Sequence, residues 1–428
     1  MELHECPYVA LERSPPPVPC MVLKTARVTA QDHWSMMGWD PWWSWVPPAN
    51  GDPLHAMDIA IHRLRQSAPV IPTGLPCPVP MVAGALAYDL GLQLEPVRVR
   101  SIDQWHFPHM LLYAFRRWRI VNERTKQSWE IRHARPDDPE ALAATQRQLG
   151  KIRNALPRPL ASNFSREAYM REVAALQDAI AAGACYQVNL SQQFQGTTAQ
   201  SAAELFRRVV TMNPAPMMAF LDAGIFQVIS SSPERLIQRR GTRIISEPIK
   251  GTIGRGATPE DDQQRRVSLW QSPKNRAELA MIIDLVRNDL GRVAVSGSVQ
   301  VADPGRIVSY TNVHHVVATV TAEVATTVAW GALLRAVFPG GSVTGCPKIE
   351  AMSRIDAAEK IRRGYYCGAL GYIDWGGHGD WNIAIRTITQ VGSSVLFNLG
   401  GAVVYDSTPA AEYEETLQKG ETLFAAMQ

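Results

Sequence analysis

Lys250 is the side chain in this sequence whose setting most suggests a nucleophile. It stands in Glu247-Pro248-Ile249-Lys250-Gly251-Thr252, just after the strand-like run Arg243-Ile244-Ile245-Ser246. Pro248 removes a backbone donor and fixes one dihedral, and Gly251 allows backbone to come close to a ligand. An amine at the rigid end of a strand, followed by a glycine and a hydroxyl, can be presented above a small anion-sized space. A strand ending in a turn with a solvated lysine fits the same six residues. Carboxylates form a second group. Glu278 lies at the edge of the apolar stripe of a helix predicted over Arg276–Leu290, while Glu412, Glu415 and Lys419 share one face of the last helix. Such faces are commonly just solvated. The alternative is that carboxylates from two distant helices meet around one hard cation; Mg²⁺ takes one or two of them plus water and an oxygen-rich substrate. Two glycine-rich segments complete the set. Phe338 to Lys348 leads into a helix whose first amides suit a carboxylate or phosphate, though the GxxxxGK[ST] spacing is absent and a plain helix-entry turn fits too. Leu399 to Val404 is a strand end that backbone-contacting ligands could approach. Arg386, among apolar neighbours on a strand predicted over Asn382–Ile388, is costly unless a carboxylate from protein or ligand pairs with it.

The elements that must position these groups read as α+β. Helical spacing is predicted from Asp137 to about Ile152, Ser165 to Ala182, Ala202 to Val210, Arg276 to Leu290, Pro347 to Glu359 and Pro409 to Ala426. The Arg276–Leu290 helix carries Leu279, Ile282, Ile283 and Val286 as its buried stripe. Thr408 and Pro409 suit the N-cap and first turn of the last helix. Strands are predicted at Met81–Tyr88, Met110–Phe115, Gln187–Phe194, Met217–Leu221, Phe226–Ile229, Val313–Val320, Gly368–Ile373, Asn382–Ile388 and Ser394–Leu399. Short turns between them favour antiparallel sheets. Residues 1–155 differ in texture, with Pro15-Pro16-Pro17, Pro47-Pro48 and the cluster Trp34, Trp39, Trp42, Trp43, Trp45. That cluster suits a core or packed loop, or else a binding surface such as an effector pocket. The polar, proline-containing Asn154–Ser165 is the expected linker between an N-terminal region (1–155) and a C-terminal region (156–428).

Composition excludes several classes. With 46% apolar residues, 19% charged residues and a net charge of +3, the chain reads as globular and not as a nucleic-acid binder. Its six cysteines are scattered without a CxxC pair, so neither zinc nor a disulfide framework is expected. No signal-like N-terminus and no run of ~18 apolar residues is present, so a cytoplasmic protein without membrane spans is expected.

Several of these segments, in order, resemble the chorismate-utilising enzymes. They are Ser231-Ser232-Pro233-Glu234-Arg235, Pro248 to Thr252, Glu278 with Asp284 to Asp289, Phe338 to Ser342, Gly368 to Tyr372, Asn382 to Arg386 and Glu412 to Lys419. The match runs from about Phe164 to the C-terminus. It implies two stacked antiparallel sheets flanked by helices, and a Mg²⁺-dependent reaction of chorismate. Two positions separate the family's chemistries. Members that add water resemble one another in a lysine base where this chain has Gln187, and glutamine is no base near neutral pH. Anthranilate synthases typically carry alanine where this chain has Lys250; a lysine there resembles the aminodeoxychorismate synthase branch of para-aminobenzoate and folate synthesis. The resemblance assigns Lys250 as nucleophile, Glu234 as general acid, and Glu278 and Glu415 as Mg²⁺ ligands with Glu412 behind them. It assigns Tyr366 and Arg386 to the enolpyruvyl carboxylate. Thr252, Ser342, Lys419 and the backbone of Gly251, Gly401 and Ala402 would line the pocket, with His315 near the ring. Ala402 departs from the glycine common in the family; its methyl would crowd the substrate if backbone approaches closely there, and is tolerated if φ stays negative. No glutaminase nucleophile is recognisable, so ammonia is expected from a separate glutamine amidotransferase subunit. The alternatives are anthranilate synthase component I and, from another class, a non-catalytic regulatory or binding protein on the same fold.

Overall fold

The computed structural model describes residues 1–428 except 14–16, 27, 29–32, 67–70, 72–73 and 154–158. Pro15, Pro16 and the Asn154–Arg158 part of the expected linker therefore lie outside the described residues.

Among the described strands every pairing is antiparallel, and the pairings form one continuous path that folds into two facing halves. The first half runs Gln187–Thr197, Ser394–Val403, Thr387–Val391, Gln227–Ser232, Met217–Asp222, Cys20–Lys24 and Trp34–Trp45, ending on Met110–Asn122. That last strand also pairs with Pro80–Leu86, which opens the second half: Ala369–Asp374, Gly379–Asn382, Arg235–Arg240, Arg243–Glu247 and Val313–Glu323. Val313–Glu323 also carries Ile249–Gly254 and Gln300–Ser309. Strands from before and after residue 155 alternate along this path, since Cys20–Lys24 pairs with Met217–Asp222 and Pro80–Leu86 with Ala369–Asp374.

The period-two pattern of each strand decides which core it feeds. Ala83, Ala85, Leu370 and Tyr372 of one half face Met21, Ala219, Leu221 and Val228 of the other, forming the middle layer. Tyr372 lies opposite Ala83 and Leu370 opposite Ala85, so large and small side chains alternate and the halves can close. On the outer side of the first half, helices Ala202–Met212 and Pro409–Met427 bury Leu205, Phe206, Val209 and Leu423 against Phe220, Ile388 and Phe397. Helices Pro53–Gln66, Pro273–Gly291 and Trp330–Val337 cover the second half, where Met57, Ile282 and Leu334 meet Ile237, Ile244 and Trp381. Each such buried aliphatic side chain is worth roughly 1.5–3 kcal/mol. This is the expected α+β architecture of stacked antiparallel sheets flanked by helices.

The Pro273–Gly291 helix shows why its residues chose it. Ser272 caps it by accepting from Asn275 N–H (3.3 Å), Pro273 fits the first turn, and Leu279, Ile282 and Val286 bury along one stripe. Ile283, at the stripe's edge, packs on a smaller cluster with Leu269, Val316 and Ala318. Thr408 occupies the N-cap position of the last helix, but its side chain makes no capping bond. The tryptophan cluster lies on the strand Trp34–Trp45, with Trp42 and Trp43 in the core and Pro41 beside a bulge. All six cysteines are free. Among the described residues no helix is long and apolar enough to cross a membrane.

Two readings need correction. The strand expected over Asn382–Ile388 is two strands, Gly379–Asn382 in one half and Thr387–Val391 in the other, because Arg386 takes φ +51° and turns the chain between them. The helices Pro53–Gln66, Pro259–Gln271 and Trp330–Val337 are not among those predicted; on Pro259–Gln271 only Leu269 is buried, so it has no apolar stripe to reveal it.

Candidate active site

At one end of the molecule the chain crosses twice between the halves. Ser232 ends a strand of the first half and Arg235 begins one of the second, so Pro233-Glu234 is a crossing; Ile383 to Arg386 is the return crossing. The two lie side by side. Ile383 N–H donates to Glu234 O (3.0 Å), Ser231 N–H to Arg386 O (3.1 Å), and the Ser232 hydroxyl to Ile383 O (2.6 Å). Backbone pairing of two irregular segments thus fixes where Glu234 and Arg386 stand.

Glu234 is 3% exposed and accepts Ile249 N–H at 3.2 Å. Burial pushes its carboxyl above the usual range, against the opposing pull of the Ser342 hydroxyl, the Ile249 N–H and the Lys250 amine. Ser342 Oγ is buried and near enough to weigh on Glu234, yet it makes no hydrogen bond of good geometry.

Lys250 opens a strand; it does not close one, as its sequence setting suggests. Pro248 interrupts the ladder between Ser246, opposite Val320, and Ile249, opposite Val317, and the strand resumes on the same neighbour. Gly251 then takes φ +80°, a conformation that suits glycine, and the register shifts between Lys250 and Thr252. The half-buried Lys250 places Nζ 3.5 Å from Ser342 O. Burial drives the amine below its ordinary pKa; Glu278, Glu234 and Glu415 pull it back up, and Lys419 pushes it further down.

The same four charges locate the carboxylate group. Glu278 is 14% exposed in its side chain, with Lys274 Nζ 3.9 Å away. Glu415 pairs with Lys419 at 2.6 Å, and Lys419 also donates to Gly400 O at 3.0 Å. Burial raises Glu415, but the Lys419 ion pair together with Lys274 and Lys250 more than offsets this and leaves it below the usual carboxylate range. Glu412 is buried; one oxygen accepts the Ser407 hydroxyl at 2.6 Å, and the other is buried without a partner. Burial and the neighbouring Glu415 raise its pKa, with Ser407 opposing. A Cβ on Gly401 would lie 3.1 Å from Glu412 Oε2 and 3.5 Å from Glu415 Oε1, so glycine is what lets both carboxylates rest on the strand. Strand alternation turns the Ala402 methyl to the opposite face, and Ala402 does not take positive φ.

A polar chain runs Thr252, His315, Arg386, Asn213. Thr252 Oγ1 and His315 Nδ1 are 2.7 Å apart, Arg386 Nη2 approaches His315 Nε2 at 3.3 Å, and Arg386 Nη1 approaches Asn213 Oδ1 at 3.3 Å. The guanidinium can only donate, so Nε2 accepts and Nδ1 carries the proton toward Thr252. Burial, with the Arg386 charge, holds His315 well below its ordinary pKa and therefore neutral. Among the described residues Arg386 has no carboxylate partner, which leaves its charge for a ligand. Tyr366 is buried near the Arg363 guanidinium, 5.6 Å from its ring. Gln187 is fully buried with both amide atoms unpartnered.

Lys250, Glu234, Ser342, Glu278, Glu415 and Lys419 therefore interact as one electrostatic group, while Thr252, His315 and Arg386 form a hydrogen-bonded one. Sequence reading missed Asn213 and Ser232, which only the crossings bring in, and the Arg363–Glu359 pair. The double arginine Arg362-Arg363 before a glycine was its one visible sign. Among the described residues no set of three or more His, Cys, Asp or Glu side chains is arranged to hold a metal. Two carboxylates close to Lys250, with the orphan oxygen of Glu412 behind them, do fit a hard cation that keeps water and substrate oxygens.

The family described as chorismate binding enzyme matches residues 27–425. Aminodeoxychorismate synthase component 1 of Klebsiella aerogenes is 40% identical over 347 residues, 80% of this chain and 76% of the relative. Anthranilate synthase component 1 of Mycolicibacterium smegmatis is 35% identical over 408 residues, 89% of this chain and 77% of that one. The crystal structure of anthranilate synthase component I from Streptococcus pneumoniae superposes with a TM-score of 0.78 at 24% identity, covering 97% of this chain and 96% of the other. The chain belongs to the chorismate binding enzymes.

Proposed function

We propose that this protein aminates chorismate at C4 with ammonia, giving 4-amino-4-deoxychorismate, as component 1 of an aminodeoxychorismate synthase. The observation that carries this reading is Lys250: a half-buried side chain whose amine has a lowered pKa, within electrostatic reach of Glu234, a buried carboxyl with a raised one. The relative from Klebsiella aerogenes supports it by name. Amination with retention is reached by two displacements. The neutral Lys250 amine attacks C2, both conjugated ring double bonds shift, the C4 hydroxyl leaves as water with the proton Glu234 delivers, and the adduct nitrogen gives one proton to the resulting carboxylate. Ammonia then attacks C4, both double bonds shift back, and Lys250 departs as a neutral amine as Glu234 returns that proton to its nitrogen, leaving the new amine on C4 as its ammonium. Tyr366 and Arg386 hold the enolpyruvyl carboxylate, and neutral His315 keeps Thr252 and Arg386 in place. Lys419, Ser342 and the backbone at Gly251, Gly401 and Ala402 complete the pocket. Glu278 and Glu415 are the residues that would hold Mg²⁺, which when bound supplies positive charge for the ring carboxylate; Glu412 supports them. Ammonia comes from a separate glutamine amidotransferase subunit, in a cytoplasmic setting within para-aminobenzoate and folate synthesis.

Anthranilate formation is the second reading, favoured by the longer match to the mycobacterial relative. Purified protein with chorismate, Mg²⁺ and ammonium, followed by mass spectrometry, decides between them. A product that retains the enolpyruvyl group supports C4 amination; fluorescent anthranilate without it overturns the proposal.

A further inference from the structure

Arg363 has no place in the chemistry above, yet it is 2% exposed and its donors reach, besides Glu359, two segments that build the site. Nε and Nη2 grip Glu359 at 2.9 and 2.6 Å. Nη1 donates to Val343 O at 3.0 Å and Nη2 to Asn189 O at 2.6 Å. Val343 follows Ser342, whose carbonyl faces Lys250 Nζ. Asn189 lies opposite Ala402 in the strand register, next to Gly401. The guanidinium carbon also sits 4.6 Å from the Tyr88 ring and 5.6 Å from that of Tyr366. Glu359 is itself saturated, accepting Ser191 N–H at 2.8 Å and the Ser191 hydroxyl at 2.9 Å besides the arginine. A buried ion pair is weak evidence for net stability, because desolvation offsets its attraction. Here the arginine's remaining donors go to the backbone of one site-forming turn and one site-forming strand, and its face to two tyrosine rings.

We propose that Arg363, aligned by Glu359, is a positioning residue that spaces the Ser342 turn, the Asn189–Ala402 strand pair and the Tyr366 ring around the bound substrate. The planar fork of arginine can serve a carboxylate and two carbonyls at once; a lysine ammonium cannot hold that geometry. The inference rests on reading this pocket as the chorismate site but not on which product forms.

The test is a double-variant cycle on the full chain, read by equilibrium titration with chorismate and by steady-state rates, each scaled to folded protein. Arg363→Lys is expected to weaken chorismate binding about tenfold and to lower kcat/KM by up to about 10²-fold, the cost of misplacing a reacting group by an ångström. Combining it with Tyr366→Phe, which keeps the ring Arg363 touches and removes the hydroxyl, should cost clearly less than the product of the two single losses, because part of the arginine's effect is to place that hydroxyl. As a control, Lys24→Met breaks another buried ion pair, from the strand Cys20–Lys24 to Glu123 just beyond the strand Met110–Asn122 (2.6 Å); it should lower the melting midpoint and leave chorismate affinity alone. If Arg363→Lys does not fold, Glu359→Asp, which keeps both charges and draws the guanidinium back, goes through the same cycle under the same criteria. Unchanged affinity, or losses that multiply independently with Tyr366→Phe, overturns the positioning role. If the enzyme makes anthranilate, the C4 reading falls while these binding ratios still decide the role of Arg363.

Discussion

Lys250→Arg separates a nucleophile from a charge. A free lysine has a pKa of about 10.4 and arginine one far higher, so at pH 8 the neutral fraction of lysine is about 10⁻²·⁴ and that of arginine about a thousandfold smaller. Burial lowers the Lys250 pKa further, and the same burial acting on arginine leaves the gap of about three orders of magnitude in place. An attacking amine therefore predicts a rate loss of about 10³-fold or more for Lys250→Arg, and Lys250→Ala should be as poor. A lysine that only neutralises a substrate carboxylate predicts something else: arginine keeps the charge, could still reach the Ser342 carbonyl, and would stay within about tenfold of wild type. Product formation from chorismate and ammonium, quantified by mass spectrometry, measures both variants. Without ammonia the second displacement has no nucleophile, so intact wild-type protein should gain the mass of chorismate less one water on the Lys250 peptide. An active Lys250→Arg enzyme together with no adduct refutes covalent catalysis.

The other expectations are as follows. Glu278→Gln and Glu415→Gln should each abolish Mg²⁺-dependent turnover with the melting midpoint nearly unchanged, because the amide keeps the shape and loses the anionic oxygen; a wild-type rate at limiting Mg²⁺ removes that residue as a ligand. The pure chain should show ammonia-dependent but no glutamine-dependent activity, and sustained glutamine hydrolysis by it would sink the two-component reading. In pH profiles of kcat/KM at constant free NH₃, Lys250 must be neutral and Glu234 protonated; whichever pKa is the lower, the alkaline fall should vanish in the residual activity of Glu234→Gln. Stability should follow the same shift. The Glu234 pKa is raised on folding, so its stabilising contribution is full below about 4.5 and is lost as pH rises through the folded value. Relative to wild type, Glu234→Gln should accordingly melt progressively higher between pH 4 and pH 8, and a constant difference across that range would mean that Glu234 is not buried as a neutral acid.

The sequence carried the parts whose signal is local. The stripe Leu279, Ile282, Val286 and the cap Ser272 lie within one helix, and the alternation of Gln187–Thr197 lies within one strand. Its limits are equally physical. Apolar spacing could not show that Asn382 and Thr387 belong to opposite halves, because what breaks the strand is the backbone of Arg386, stabilised by pairing with a second crossing distant in sequence. Nor could a count of charges distinguish Glu412, with one oxygen on Ser407, from Glu415, which pairs with Lys419. The glycine that matters for those carboxylates is Gly401, visible only once the direction of each Cβ is known.

That geometry bears on how one site can hold an acid and a base of opposite need. A reaction requiring a protonated carboxyl and a neutral amine together is poorly served by ordinary groups. With pKa values of about 4.3 and 10.4, only about one molecule in 10⁶ has both in the correct state between those limits, and each unit of convergence raises that fraction tenfold. Direct contact would work against this, since an ion pair lowers the acid and raises the base. In this site the charge of each does oppose the other's shift, but burial is the largest influence on both and moves them toward one another. Glu234 is shielded by the paired crossings and Lys250 by the strand that restarts after Pro248. Glu415, a few ångströms from Gly401, is instead held ionised by Lys419 and so stays available as an anionic oxygen donor. Two carboxylates and an amine thus take different states because the fold, and not residue type, decides which of them is dry and which is paired.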